Sequence, residues 1–132
     1  MPQYRSLTPN LLVADVSRSL AFYIDVLGFE RGMTAPDAAP FVFASVTSGT
    51  VQIFFNEAKT AAAEYPALAG RPIGATATMF VDVFEIEQLY ARLDGKVPVV
   101  VPLHTQWYGV KEFAIADPDG YLITFAEPVA QK

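Results

Sequence analysis

The sequence contains no cysteine and only one histidine, His104, among its 132 residues. Disulfide bonds, thiolate metal sites and cysteine nucleophiles are therefore excluded, and a chain without cysteine suits a reducing cytoplasm, where we expect this protein. Charged residues make up only 17% of the chain, and the net charge is −5. This balance argues against nucleic acid or an anionic membrane surface as partners. The longest apolar run, 97–103, is too short to span a bilayer.

A repeat divides the chain into two similar halves. Three residues of the first half, Asp15, Tyr23 and Gly28, have identical counterparts in the second half. These are Asp82, Tyr90 and Gly95, each 67 positions later (82 − 15). Each half has the same order: an apolar run, an aspartate, an amphipathic stretch that contains the tyrosine, and then the glycine. A period close to half the chain predicts a duplicated supersecondary unit, because one copy alone leaves a sheet face uncovered.

The hydrophobic pattern predicts the order β-α-β-β-β in each half. The predicted strands are 11–14, 29–33, 41–46 and 51–55, then 75–81, 97–101, 108–116 and 121–126. Asp15 and Asp82 are predicted to cap the two helices at their N-termini, and Gly28 and Gly95 to end them. We therefore expect one α+β domain over 1–132, with module one at about 6–56, a linker at 57–72 that can hold a helical turn, and module two at about 73–127. The sheets are expected to curl around a central cavity.

Two stretches carry a resemblance to a known family. Residues 11–30 read LLVADVSRSLAFYIDVLGFE, and residues 108–125 read YGVKEFAIADPDGYLITF. With the paired β-α-β-β-β order, they resemble the vicinal oxygen chelate superfamily, which includes glyoxalase I, extradiol dioxygenases, fosfomycin-resistance enzymes and bleomycin-resistance proteins. The second stretch is similar to the aromatic-Gly-x-basic-Glu-Phe and Asp-Pro-x-Gly motifs of bleomycin-resistance-like members. The resemblance implies a homodimer with a ligand groove, and it leaves the reaction open because this fold hosts many activities.

The resemblance also places metal ligands, usually His, Gln or Glu, on the first and last strands of each half. The corresponding positions here are Thr8, Ile53, Ala75 and Thr124, with Gln52 in place of Ile53 if the register shifts by one. Hydroxyl and alkyl side chains are poor ligands for a divalent ion. We therefore predict no bound metal, no cofactor and no catalytic residue.

Aromatic side chains are abundant, with ten Phe, six Tyr and one Trp. Alternation along the strands turns some of them toward the cavity, and an apolar cavity without a metal can hold a flat ligand by stacking. We predict a small-molecule-binding protein that sequesters a planar aromatic, possibly cationic compound, as the resemblance to bleomycin-resistance proteins implies. The predicted ligand-binding residues are Phe41, Phe54, Trp107, Tyr108 and Phe113.

Two alternatives stay open on the same fold. One is a glyoxalase- or dioxygenase-like metalloenzyme that uses shifted ligands, for which Glu112 and His104 are the first candidates. The other is a metal-independent enzyme, for which the sequence names no catalytic group. The aromatic side chains can also simply fill the core and leave no groove.

Overall fold

The computed structural model describes residues 3–74 and 77–129. Its strands are β1 (Asn10–Val13), β2 (Glu30–Ala35), β3 (Phe43–Ser48), β4 (Val51–Glu57), β5 (Thr78–Asp82), β6 (Val99–Thr105), β7 (Val110–Ala116) and β8 (Leu122–Pro128). Its α-helices are α1 (Val16–Ala21), α2 (Ala58–Glu64) and α3 (Ile86–Leu93), with a π-helical turn at Phe22–Val26 and a 3₁₀ turn at Pro66–Leu68. No helix within the described ranges is long and apolar enough to cross a bilayer.

The chain forms two compact units, the first ending at Ile73 and the second beginning at Gly74. Each unit contains one four-stranded mixed sheet, with the order β1-β4-β3-β2 in the first and β5-β8-β7-β6 in the second. The first and last strands of each unit pair in parallel, and the other neighbours pair antiparallel. The predicted α+β fold and the order β-α-β-β-β are therefore confirmed.

In the first unit, α1 and the π-helical turn supply the apolar residues that cover one face of the sheet. Tyr23 is fully buried, and its ring lies 4.8 Å from that of Phe55 on β4. Val13 and Val46 are buried as well. The helix begins after Asp15, whose carboxylate accepts a hydrogen bond from the backbone N–H of Arg18, as the sequence predicts.

In the second unit, α3 packs on β7 and β8. The ring of Phe113 is fully buried, with its centroid 4.9 Å from that of Tyr90 on the helix and 5.1 Å from that of Phe125 on β8. Ile86 and Leu93, at the two ends of the helix, are also fully buried. The core of this unit therefore lies between α3 and one face of its sheet.

The start of α3 differs from the prediction. Asp82 ends β5, and the helix begins four residues later at Ile86, after Glu85, which adopts a left-handed conformation with φ 57°. The cap comes from the neighbouring strand: the carboxylate of Glu127 accepts hydrogen bonds from the backbone N–H groups of Glu85 and Ile86, at 2.9 and 3.0 Å. These two bonds lower the pKa of Glu127, because they stabilise its ionised form.

The structural repeat has a different offset from the sequence repeat. The two helices begin after residues that are 70 apart, Asp15 in the first unit and Glu85 in the second (85 − 15). The 67-residue offset of the glycines follows from the first helix, which continues through the π-helical turn for three more residues before its glycine. Asp15 is therefore structurally equivalent to Glu85 and not to Asp82.

The predicted linker, 57–72, contains more structure than one turn. Strand β4 extends to Glu57, and α2 follows at once, with the Glu57 carboxylate accepting a hydrogen bond from the backbone N–H of Thr60. Ala61 is buried where α2 packs on β4 and β1. The predicted strand at 75–81 corresponds to β5, which begins at Thr78; residues 75 and 76 lie outside the described part of the chain.

Candidate functional site

The face of the second sheet opposite α3 carries polar and aromatic side chains at alternating positions. Cross-strand pairing aligns them in two rows, which we call the α3-free face: Asp82, Ala126, Glu112 and His104 in one row, and Phe80, Thr124, Ala114 and Val101 in the other. Paired residues on neighbouring strands lie on the same side of a sheet, whereas the residues between them lie on the side of the helix. This face therefore combines carboxylates, an imidazole, an aromatic ring and a floor of small side chains.

Glu112 is a buried carboxylate with neutral hydrogen-bond donors. Its side chain is 6% exposed. Oε2 accepts a hydrogen bond from the hydroxyl of Tyr108 at 2.6 Å, and Oε1 accepts one from the side-chain amide of Gln106 at 3.2 Å. Across residues 3–74 and 77–129, no lysine or arginine forms an ion pair with it. Burial of an ionised carboxylate is costly unless donors or a cation compensate its charge, and here only neutral donors do so.

His104 lies opposite Glu112 in the β6–β7 register. Its Nδ1 is 2.8 Å from the carbonyl oxygen of Pro102. Because a carbonyl oxygen only accepts, Nδ1 is the donor in this bond.

The residues of this face do not fit the divalent metal site that the resemblance implies for metal-dependent members of the family. Within the described ranges, no three His, Cys, Asp or Glu side chains come together in a way that could hold a metal ion. Glu112 and His104 could supply two metal ligands, one carboxylate and one imidazole. A stable site needs at least one more ligand side chain, and the described residues do not supply it there. We therefore derive no metal-dependent step, and the expected absence of a metal stays a prediction.

The four positions that the resemblance assigns to metal ligands can be placed one by one. Ile53 is buried on the helix-covered side of the first sheet, so the neighbouring Gln52 is the residue that turns to the opposite side, and the register with Ile53 was wrong. Thr124 lies on the α3-free face, and Thr8 precedes β1. Ala75 lies outside the described residues. Gln52, Thr8 and Thr124 therefore offer only amide and hydroxyl groups to a metal ion.

Trp107 and Tyr108 form an aromatic pair at the turn between β6 and β7. Their rings meet edge to face, with centroids 5.3 Å apart. Trp107 is 93% exposed and Tyr108 is 49% exposed. Because the Tyr108 hydroxyl is bonded to Glu112, this pair adjoins the α3-free face. These are two of the predicted ligand-binding residues.

Phe113 has a different position from the one the sequence predicts. It follows Glu112 directly, so strand alternation turns it to the helix side, where it is fully buried between Tyr90 and Phe125. Its ring offers no surface to a ligand. Sequence reasoning missed Phe80, which is 61% exposed on the α3-free face. Strand alternation could have indicated it, because Phe80 lies on the side of β5 opposite Met79 and Val81.

In the first unit, Phe54 lies on the side of its sheet opposite the helix. It packs edge to face on Phe43, with ring centroids 5.2 Å apart. Sequence reasoning missed Phe43 because the β3–β4 register, which brings the two rings together, was unknown. Phe41 is half-buried beneath the guanidinium of Arg31, which lies 5.1 Å from its ring centroid and forms a cation–π contact.

The Tyr108–Glu112 hydrogen bond has a measurable consequence. This bond, partial desolvation and the negative charge of Glu112 raise the pKa of Tyr108 above the ordinary tyrosine value. We expect Glu112→Gln to lower that pKa, because the substitution removes the charge and leaves a weaker acceptor. The measurement is a titration of tyrosinate absorbance, with Tyr108→Phe subtracted to isolate this side chain.

The raised pKa of Tyr108 also determines how the stability of the fold changes at alkaline pH. A raised pKa in the folded state means that the bond stabilises the fold fully below the tyrosine pKa of the unfolded chain, about 10, and that this stabilisation is lost as the pH rises through the folded value. The alkaline loss should therefore be smaller in Glu112→Gln than in the unsubstituted protein. An identical Tyr108 titration in the two proteins would show that the carboxylate does not act on this hydroxyl.

The sequence is similar to those of known proteins over nearly its whole length. The model of the glyoxalase/bleomycin resistance protein/dioxygenase superfamily matches residues 6–125. The chain is 30% identical, over 130 residues, to a bleomycin resistance protein of Geobacillus stearothermophilus, with 92% of this chain and 95% of the relative covered. A bleomycin resistance protein of Staphylococcus aureus matches with the same identity and coverage.

Solved structures agree at the level of the fold. A glyoxalase/bleomycin resistance protein/dioxygenase from Nocardioides is 20% identical with a TM-score of 0.80, covering 100% of this chain and 88% of that one. TioX from Micromonospora sp. ML1 is 16% identical with a TM-score of 0.75, covering 96% of this chain and 100% of that one. With a family match over most of its length and two sheets of equivalent strand order, this chain belongs to the glyoxalase/bleomycin resistance protein/dioxygenase superfamily.

Proposed function

We propose that this protein binds a planar aromatic small molecule and sequesters it, without a metal and without making or breaking a bond. The observation that carries the proposal is the exposed aromatic pair of Trp107 and Tyr108 beside the α3-free face. The relatives named bleomycin resistance proteins support it, because they are 30% identical over nearly the full chain.

The α3-free face offers aromatic rings to a flat compound. Phe80 is exposed on this face and Tyr108 is half-exposed beside it, whereas Ala114 and Ala126 on the same face are buried. A flat ring stacked on Tyr108 or Trp107 gains about 0.5–1.5 kcal/mol per aromatic pair beyond the burial of its area. Phe41 and Phe54, with Phe43, form the aromatic surface that we propose for the first unit.

We further propose that the protein acts as a homodimer in the cytoplasm and needs no cofactor. The absence of cysteine supports that compartment. The exposed apolar side chain of Val100 on β6 supports pairing, since its burial against a second chain would be favourable.

The proposal is tested with metal-free bleomycin as the probe. Trp107 is the only tryptophan, so binding should quench or shift its fluorescence. Calorimetry should then show that Trp107→Ala and Tyr108→Ala each weaken binding by about tenfold, which corresponds to the loss of one stacked ring.

Phe84→Ala is the matched control. Phe84 is also 93% exposed and belongs to the same unit, but it follows β5 and stands outside the two rows of the α3-free face. Its substitution should leave the affinity unchanged. Equal weakening by Phe84→Ala, or no weakening by either test substitution, would place the ligand elsewhere. Stoichiometric metal in protein purified without a chelator would contradict the metal-free mode of action.

A further inference from the structure

We infer that Glu112 anchors a cationic group of the bound compound, an amidinium, guanidinium or ammonium, on the α3-free face. This inference rests on the proposed function and narrows the class of its ligand. It starts from the chemistry of one buried side chain.

The carboxylate of Glu112 has unused acceptor capacity. Tyr108 and Gln106 each donate one hydrogen bond, one to each oxygen. A carboxylate offers about four lone-pair sites, so each oxygen can accept one more donor. An amidinium or guanidinium presents two parallel N–H groups that match both oxygens, and such charge-assisted pairs are stronger than neutral ones. A ligand cation would also supply the compensating charge that the described part of the protein does not.

The described side chains around Glu112 add negative charge and bring no positive charge to this face. Asp82 lies in the same row as Glu112, two strands away, which corresponds to about 10 Å between backbones. His104 lies opposite Glu112 in the β6–β7 register. Lys111, the cation nearest in sequence, belongs to the helix side of the sheet, where it pairs with Glu87 on α3. The face therefore offers acceptors and negative charge, and it suits a ligand that brings donors and positive charge.

Tyr108 links this anchor to the proposed stacking surface. Its hydroxyl touches the carboxylate while its ring is half-exposed. A flat group lying on that ring therefore places a substituent at its edge within reach of Glu112. An organic cation fits better than a metal ion, because the described residues supply no third ligand beside Glu112 and His104.

Two isosteric probes test the inference: 2-naphthamidine, which is cationic at neutral pH, and 2-naphthamide, which is neutral. The amidine should bind the unsubstituted protein about tenfold more tightly than the amide, as a charge-assisted pair predicts. Glu112→Gln should reduce this ratio to about one, because the substitution removes the charge that favours the amidine. Asp25→Asn is the control, because it removes one negative charge from an exposed residue of the first unit and should preserve the ratio.

Each outcome decides the matter. Equal binding of both probes with Trp107 quenching intact would overturn the cation anchor and leave the aromatic-binding function standing. Binding of bleomycin but of neither probe would also overturn the anchor, and binding of none of the three would overturn both proposals. Manganese binding that is lost in Glu112→Gln and His104→Gln would replace the organic cation with a metal. If Glu112→Gln fails to fold, Glu112→Asp, which retracts the carboxylate by one methylene, should still reduce the ratio, and an unchanged ratio would refute the anchor.

Discussion

Replacement of Phe113 by alanine is expected to destabilise the second unit by about 3–5 kcal/mol. The ring is fully buried between Tyr90 on α3 and Phe125 on β8, so its removal leaves a cavity where helix and sheet meet. Two edge-to-face or tilted ring contacts are lost together with the buried apolar area. The measurement is urea unfolding followed by circular dichroism.

Trp107→Ala provides the matched control, because it removes a larger aromatic ring of the same unit at a position that is 93% exposed. Its cost should stay within about 0.5 kcal/mol. If Phe113→Ala prevents folding, Phe113→Leu should be tolerated at about 1.5 kcal/mol or less. A Phe113→Ala protein of normal stability that has lost ligand affinity would restore Phe113 to the ligand surface and refute its place in the core.

Gly32→Ala should destabilise the first unit by about 1–3 kcal/mol. A Cβ atom at this position would lie 2.3 Å from Oγ of Ser45 and 3.1 Å from the Ser45 carbonyl oxygen. Ser45 cannot easily move aside, because it is buried and its Oγ accepts a hydrogen bond of 2.9 Å from the backbone N–H of Met33. The sign is informative, since Gly→Ala at an unstrained and open position is usually stabilising.

A double-mutant cycle identifies the cause. Ser45→Ala alone should cost about 0.5–1.5 kcal/mol, because the Met33 N–H loses its acceptor. In the double variant the hydroxyl that blocks the new methyl group is absent, so the combined cost should be smaller than the sum of the single costs by about 1 kcal/mol. Thermal unfolding of the four proteins measures this coupling. Strict additivity would show that the close approach of Gly32 and Ser45 does not limit the substitution.

The sequence predicts the fold well because its strongest signals are local. The stripe of Leu20, Tyr23, Ile24 and Leu27 identifies a helix, and its counterpart around Tyr90 identifies α3. The order of the strands within each sheet is not a local property, and the hydrophobic pattern did not predict it.

The errors in assigning strand side chains to a face have one physical origin, which is that strand periodicity is two residues. A slip of one residue reverses which face each side chain occupies, as happened with Ile53 and Gln52. In β7 the four residues from Glu112 to Ile115 are all buried, so hydrophobicity alone cannot separate the helix side from the other side. Phe113 was therefore assigned to the ligand surface, and Glu112 was left as a family motif residue. The hydrogen bonds of Glu112 depend on how the β6–β7 turn folds back, which no sequence pattern shows.

The parallel pairing of first and last strands sets the order in which each unit can assemble. Asn10 pairs with Phe54 and Thr78 with Leu122, so that both contacts join residues 44 positions apart (54 − 10 and 122 − 78). The hairpins β3–β4 and β7–β8 close over far shorter loops and at a lower entropic cost. Hairpins should therefore form early, and β1 and β5 should dock last, as the slow step of folding. On the ribosome, the first sheet can be completed once Glu57 has emerged, before any strand of the second sheet has emerged in its turn.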